Sequence, residues 1–384
     1  MGNGDTAQRT RPKDRKQQIL TVARDLFVEV GYHQVTMRLI ADRLGIRAGA
    51  LYRHYSNKAE LMDAVVREGF AGLTPPSGEQ TLDDTLAATA AVVTTRSYLG
   101  VLWSREARFL PAETSAMVRD LLRRYTRAYV SLLRAQRPEL SLAEAELLAW
   151  GLQSIMGSPG RYQARLSTAE QSDVLLGAAR ALSAVDLAPP GEPIDRIESR
   201  LQPVSRRERL LLGAMRLFAE RGYQDTAMAD IGAVADVTGP SLYAHFDSKG
   251  AVLLAVFERG THVLWADLDQ ALRTHTQPWD ALAAVVAGYV RRARDWSGLS
   301  VPMTGEPAIE ETARAAQREY VAEWVGLVED GRPGLGHAVA RALVHTAMFV
   351  VDDLCRTPHL LDGAFEANVS TMALAVLASA PEGG

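Results

Sequence analysis

Cysteine is almost absent from this chain: Cys355 stands alone among 384 residues. A single thiol excludes an internal disulfide and any multi-cysteine zinc or iron–sulfur site. Long apolar runs are missing too. A membrane helix needs about 20 consecutive apolar residues, and the most apolar stretch, Ala338 to Leu354, is broken by Arg341, His345, Asp352 and Asp353. A buried helix is the expectation there. Gly2 to Lys16 is polar and basic, without the apolar region of a secretory signal, so a cytoplasmic protein is expected. Lysine is scarce, four against 38 arginines, a bias that fits a GC-rich bacterial coding sequence. Catalytic groupings are missing as well. The glycines of Gly331 to Gly336 follow a helical pattern and not a strand, His337 and the pair Asp352 and Asp353 have no partner ligand set, and Glu310 with Glu311 reads as a solvated helical turn. No catalytic residue, metal or cofactor is expected.

What is present begins with an uneven charge distribution. The net charge is -4, yet Met1 to Lys58 carries eleven Lys or Arg residues against five acids. Only a face that meets phosphate has to be basic, so the sum does not argue against a nucleic-acid partner.

The strongest signal is a repeat. Arg15 to Val66 reappears without a gap at Arg206 to Phe257, offset by 191 residues. Phe27, Gly31, Tyr32, Leu51, Tyr52, His54 and Lys58 thereby meet Phe218, Gly222, Tyr223, Leu242, Tyr243, His245 and Lys249. One whole domain is duplicated. Between the copies, Pro189, Pro190, Pro193 and Pro203 interrupt the helical pattern and predict a stiff linker over 187–204. The expected divisions are a basic arm at 1–14, heads at 15–66 and 205–257, and helical regions at 67–186 and 258–384. Apolar residues recur at helical spacing throughout, so the chain is expected to be all-α. In the first head, a helix bearing Ile19, Val22, Ala23, Leu26 and Phe27 ends near Gly31. Thr36 caps a second over Met37 to Leu44, a third covers Ala48 to Tyr55 after the turn at Gly45, and Ser56 caps a fourth. Two short helices across a tight turn are the arrangement that places the second in a DNA major groove.

These segments resemble the DNA-binding domain of the tetracycline-repressor family. The likeness rests on Phe27, Gly31 and Tyr32, the Thr-capped second helix, the glycine turn, and the pattern Leu-Tyr-x-His-aromatic-x-x-Lys at Leu51 to Lys58 and Leu242 to Lys249. The resemblance implies two modules in one chain, paired as an intramolecular pseudo-dimer. It implies that Thr36, Tyr52 and Lys58 hold phosphates of double-stranded DNA while Arg38, Arg47, Ala48, Gly49 and Arg53 lie at or beside base edges. The matching positions in the second copy include Thr238, Gly239, Pro240, Ala244, Tyr243 and Lys249. The family's last two helices pair into a four-helix bundle, here expected from 142–158 with 169–185 and from 335–356 with 361–378. A small lipophilic effector is a further implication, with Trp103, Arg105, Glu106, Arg108 and Tyr125 as candidate lining, and repression as the family's usual mode. Pairing of two such chains is left open.

The second copy departs from the pattern. Ala227 replaces Thr36, Asp236 replaces the turn glycine Gly45, and six cations from Val204 to Lys249 are balanced by six acids. Weaker phosphate affinity is expected there. Two alternatives follow: a regulator in which only the first copy reads DNA, or a protein-interaction adaptor.

Overall fold

The structure, a computed structural model, describes residues 12–76, 80–163, 165–192, 201–237, 239–295 and 307–380. It is helical, with no strand among the described residues. The first head comprises α1 (Pro12–Val30), α2 (Met37–Arg43), α3 (Ala48–Leu51) and α4 (Lys58–Phe70). Next come α5 (Leu82–Thr95), α6 (Tyr98–Val101), a π-helical turn (Leu102–Glu106) and a 3-10 turn (Ala107–Phe109). The first half closes with α7 (Ala112–Gln136), α8 (Leu142–Met156) and α9 (Thr168–Ser183). The second half repeats the plan: α10 (Arg206–Arg221), α11 (Met228–Val234), α12 (Gly239–Tyr243), α13 (Lys249–Thr274), α14 (Pro278–Asp295), α15 (Pro307–Gly331), α16 (His337–Cys355) and α17 (Phe365–Ala378).

These residues gather into two bodies that cut across the sequence repeat. One contains the first head with Val92–Ala128 and Pro159–Gln163. Its core is continuous: Ile19, Ala23, Leu26 and Phe27 of α1 meet Leu61, Val65 and Val66 of α4, and Leu99, Leu102, Leu110, Val118 and Leu121 close the same cluster. The other contains the second head and both halves' terminal helices.

Within that second body, α8 and α9 from the first half pack against α16 and α17 from the second as a four-helix bundle. The pseudo-dimer is thus closed inside one polypeptide. Leu148, Leu152, Ile155, Val174, Leu175, Leu182, Val344, Ala347, Val351, Val369, Met372 and Val376 are buried in it. Gly151 permits the close approach: a Cβ there would lie 2.5 Å from Met372 Cε and 3.0 Å from Leu182 Cδ1. The helices of the first pair start with capping boxes, Ser141 with Glu144 and Ser167 with Glu170, which satisfy amide donors otherwise left over at a helix start. Ser154 Oγ donates to Asp353 Oδ2 at 2.6 Å, joining the two halves by a polar contact.

The duplication extends past the heads in a shared device. Arg137 donates to the carbonyls of Ser183 (3.0 Å) and Val185 (2.8 Å) at the end of α9, and Arg332 does the same to Leu377 (3.1 Å) and Ser379 (2.7 Å) at the end of α17. A guanidinium there answers both the unpaired carbonyls and the negative end of the helix dipole. The first residues of the predicted linker are tied down. Asn368 exchanges two hydrogen bonds with the backbone of Ala188 (2.8 and 3.0 Å), and Gly363 N donates to Glu192 O at 2.9 Å. Residues 193–200 of the linker, and 1–11 of the predicted arm, lie outside the described residues. No helix of the described residues is long and apolar enough to cross a membrane.

Candidate nucleic-acid interface

Each head is built so that two short helices are held by their ends. In the first, Gly31 leaves α1 at φ 81°, a conformation that costs glycine nothing. Thr36 Oγ1 accepts from Leu39 N at 3.1 Å and starts α2. The turn to α3 passes through Gly45 at φ 65° and is closed by Ile46 N donating to Ala41 O at 3.0 Å. Buried Leu51 and Tyr55 anchor α3 from below. Two expectations need correction. The third helix is a single turn, Ala48–Leu51, followed by non-helical residues to Tyr55. The cap of α4 is Asn57 and not Ser56: Asn57 Oδ1 accepts from Glu60 N at 2.9 Å. Ser56 instead donates from both its N–H (2.7 Å) and its Oγ (2.6 Å) to Glu60 Oε2.

Above this frame the sequence-predicted contact residues stand in solvent. Arg38, Arg47, Gly49 and Arg53 are exposed and Ala48 is half-buried. Tyr52 keeps 53% of its surface accessible beside a core that buries Leu51 and Tyr55, which marks it as a side chain presented outward. Of the cations, Arg38 makes a long contact to Asp42, 3.7 Å with both side chains largely exposed; such a pair yields readily to a phosphate.

Lys58 is differently employed. Its ammonium donates to Tyr32 O at 2.6 Å, reaches His33 O at 3.5 Å and sits 4.2 Å from the Tyr32 ring centroid. Burial lowers its pKa, an effect opposed by the carboxylate of Glu106 nearby. Lys249 repeats the arrangement with three carbonyls, Tyr223 (2.7 Å), Thr226 (2.9 Å) and Gln224 (3.3 Å), and lies 4.3 Å from the Tyr223 ring centroid. An ammonium has three protons, so all of those on Lys249 are engaged. Both lysines clamp the start of the fourth helix of their head to the tip that follows the first.

The second head keeps the frame and changes its surface. Tyr243 is 56% accessible and Ala244 is exposed where Arg53 stood. Ala227 has no oxygen to cap α11; Asp230 Oδ2 instead accepts from Ala227 N at 2.9 Å, which answers a different amide. Thr238 lies outside the described residues, and of Gly239 and Pro240 only the helical backbone is described. Among the candidate effector residues, Trp103 and Tyr125 are half-buried against the first head's core, and Tyr125 Oη donates to Thr74 O at 2.9 Å. Glu106 is buried at 3%, beside Lys58. The side chains of Arg105 and Arg108 lie outside the described residues. Sequence reasoning missed Phe109, whose ring stacks on Tyr32 at 4.8 Å and meets His33 edge-on at 4.6 Å. No local pattern announces a contact 77 positions away.

Two helix-turn-helix heads in one chain define a tandem helix-turn-helix protein. The family model described as bacterial regulatory proteins, tetR family, matches residues 19–65 and again 210–256. The chain carries that family's N-terminal segment twice. It is 39% identical over 95 residues to the HTH-type transcriptional activator FasR of Mycolicibacterium smegmatis, a match covering 25% of this chain and 43% of the relative. It is 37% identical over 84 residues to the HTH-type transcriptional repressor KstR2 of the same organism, covering 22% and 41%. The chain therefore spans less than half the length of these curated relatives. Among solved structures, the fatty acid degradation regulator FadR of Bacillus halodurans is 15% identical with a TM-score of 0.40, covering 46% of this chain and 97% of that one.

Proposed function

We propose that the chain is a sequence-specific DNA-binding transcriptional regulator whose two non-identical recognition helices read an asymmetric operator. The observation that carries this reading is the pair of tetR-family segments whose matched positions differ: Arg47, Ala48, Gly49 and Arg53 in one, Thr238, Gly239, Pro240 and Ala244 in the other. Arginine offers a bidentate donor pair to guanine, and alanine or proline offers only apolar contact. Two such heads have no reason to prefer the same bases. Thr36, Tyr52 and the remaining proton of Lys58 serve phosphates in the first half-site, and Tyr243 serves them in the second. Lys249 reaches a phosphate only by giving up a carbonyl. The curated relatives include both an activator and a repressor; repression, relieved by a small lipophilic effector bound near Trp103, Arg105, Glu106, Arg108 and Tyr125, is the mode we assign.

The test is selection of bound duplexes from a random pool at near-physiological salt, followed by sequencing. Two dissimilar enriched halves support the reading. A palindrome supports the alternative in which only the first head reads DNA and two chains pair. Absence of any enriched site, together with salt-independent retention, refutes DNA reading in favour of an adaptor, since phosphate contacts impose a steep salt dependence.

A further inference from the structure

One aromatic ring of the helical region that follows the first head reaches it at a place where three parts of the head meet. After α6 the backbone widens into the π-helical turn Leu102–Glu106, tightens into the 3-10 turn Ala107–Phe109, and leaves helical geometry at Leu110. Such a turn takes up an extra residue relative to an α-helix and so sets which way Phe109 faces. Its ring lies nearly parallel to that of Tyr32, 11° at 4.8 Å, and edge-on to His33 at 4.6 Å. Those two residues are also the ones whose carbonyls hold the Lys58 ammonium. The tip Tyr32 and His33 lies between the end of α1 and the Thr36 cap of α2, and Lys58 is the first residue of α4, directly after the recognition turn. Fixing the tip therefore fixes both ends of the segment that carries Arg38, Arg47 and Arg53.

We propose that Phe109 is a positioning residue for the first recognition segment: its ring pins the Tyr32 and His33 tip, and through Lys58 holds α2 and α3 in register with α4. This extends the DNA-binding reading above, but its structural half stands independently. The surrounding attachment does not depend on the ring. Leu110 and Val118 are buried in the shared core, Thr114 Oγ1 donates to Asp63 Oδ1, and Arg67 contacts both Asp63 (2.9 Å) and Glu113 (3.6 Å). A Phe109 variant should fold.

The experiment is backbone hydrogen exchange on the full chain for wild type, Phe109→Ala, Phe109→Leu and Phe109→Tyr, with the second head as internal control. The expected result is exchange about fivefold faster over 36–55 in the Ala and Leu variants, the size of one lost aromatic pair, with 227–246 unchanged and the Tyr variant matching wild type. Unchanged exchange over 36–55 in Phe109→Ala overturns the proposal, as does equal acceleration in both heads, which would mean loss of general stability. On duplexes recovered by selection, Phe109→Ala should weaken binding about fivefold through the first half-site alone, with Phe109→Tyr restoring it. If the wild type binds no duplex, the DNA reading fails while the exchange comparison still decides the role of Phe109.

Discussion

At the turn between the second and third helices the first head has Gly45 at φ 65°, and the second has Asp236 at φ 52°. The same backbone is drawn twice, once with the residue that suits it and once with a residue that strains it. The cap shows a similar contrast: Thr36 closes an amide of α2 in the first head, where Ala227 cannot. Where the head is held together the order reverses, since Lys249 engages three carbonyls and Lys58 two. The second head has kept the lysine clamp and lost the cap hydroxyl and the turn glycine.

The comparison can be broken most sharply at the clamp. Lys249→Met should destabilise the second head by about 3 kcal/mol and Lys58→Met the first by about 2 kcal/mol, because charge-assisted bonds to carbonyls are lost. Amide exchange in each head reads both, and equal losses would erase the contrast. Next comes the buried aromatic beneath the third helix. Tyr55 is 3% exposed and its hydroxyl has no hydrogen-bond partner among the described residues, whereas the second head has Phe246. Tyr55→Phe should stabilise the first head by about 1 kcal/mol and Phe246→Tyr cost the second 1 to 2, about the penalty of a buried unpaired hydroxyl. Burial, with Glu68 and Glu60 nearby, pushes the Tyr55 hydroxyl up to about 12. An unfolded tyrosine ionises near pH 10. The contribution is thus whole below pH 10 and lost as pH rises to about 12, where only the unfolded chain gives up its proton readily. Alkaline unfolding of the first head should shift accordingly, and Tyr55→Phe should remove that component.

Smaller effects sharpen the same contrast. Thr36→Ala should cost the first head about 1 kcal/mol and Ala227→Thr restore nearly as much to the second, where Asp230 is already placed to complete the pair; denaturant midpoints of the two heads would report it. Smallest is the turn: Asp236→Gly should gain about 0.5 to 1 kcal/mol and Gly45→Asp lose as much. A null result in both directions would show that the aspartate's own hydrogen bonding offsets the strain.

Much of this was legible in the sequence because it is local or periodic. The ungapped repeat located both heads, Thr36 was recognisable as a cap, and the four bundle helices lie within a few residues of their expected limits. Ser56 and Asn57 are adjacent capping residues, and only geometry shows that the second closes the helix while the first bonds Glu60. That Lys58 also reaches carbonyls 25 and 26 positions back is something spacing does not reveal. The π-helical turn has no compositional mark, and without it the placement of Phe109 cannot be foreseen. The bodies also disobey the repeat: Val92–Ala128 joins the first head while α8 and α9 leave their own half for the bundle.

That departure has a consequence in solution. A bundle assembled from separate subunits dissolves on dilution, and its partners exchange with any similar chain present. Here α8, α9, α16 and α17 share one polypeptide, so the local concentration of one pair around the other is fixed by the chain that joins them and not by dilution. The two heads are made in equal number, so a difference between them, once acquired, is inherited as a unit.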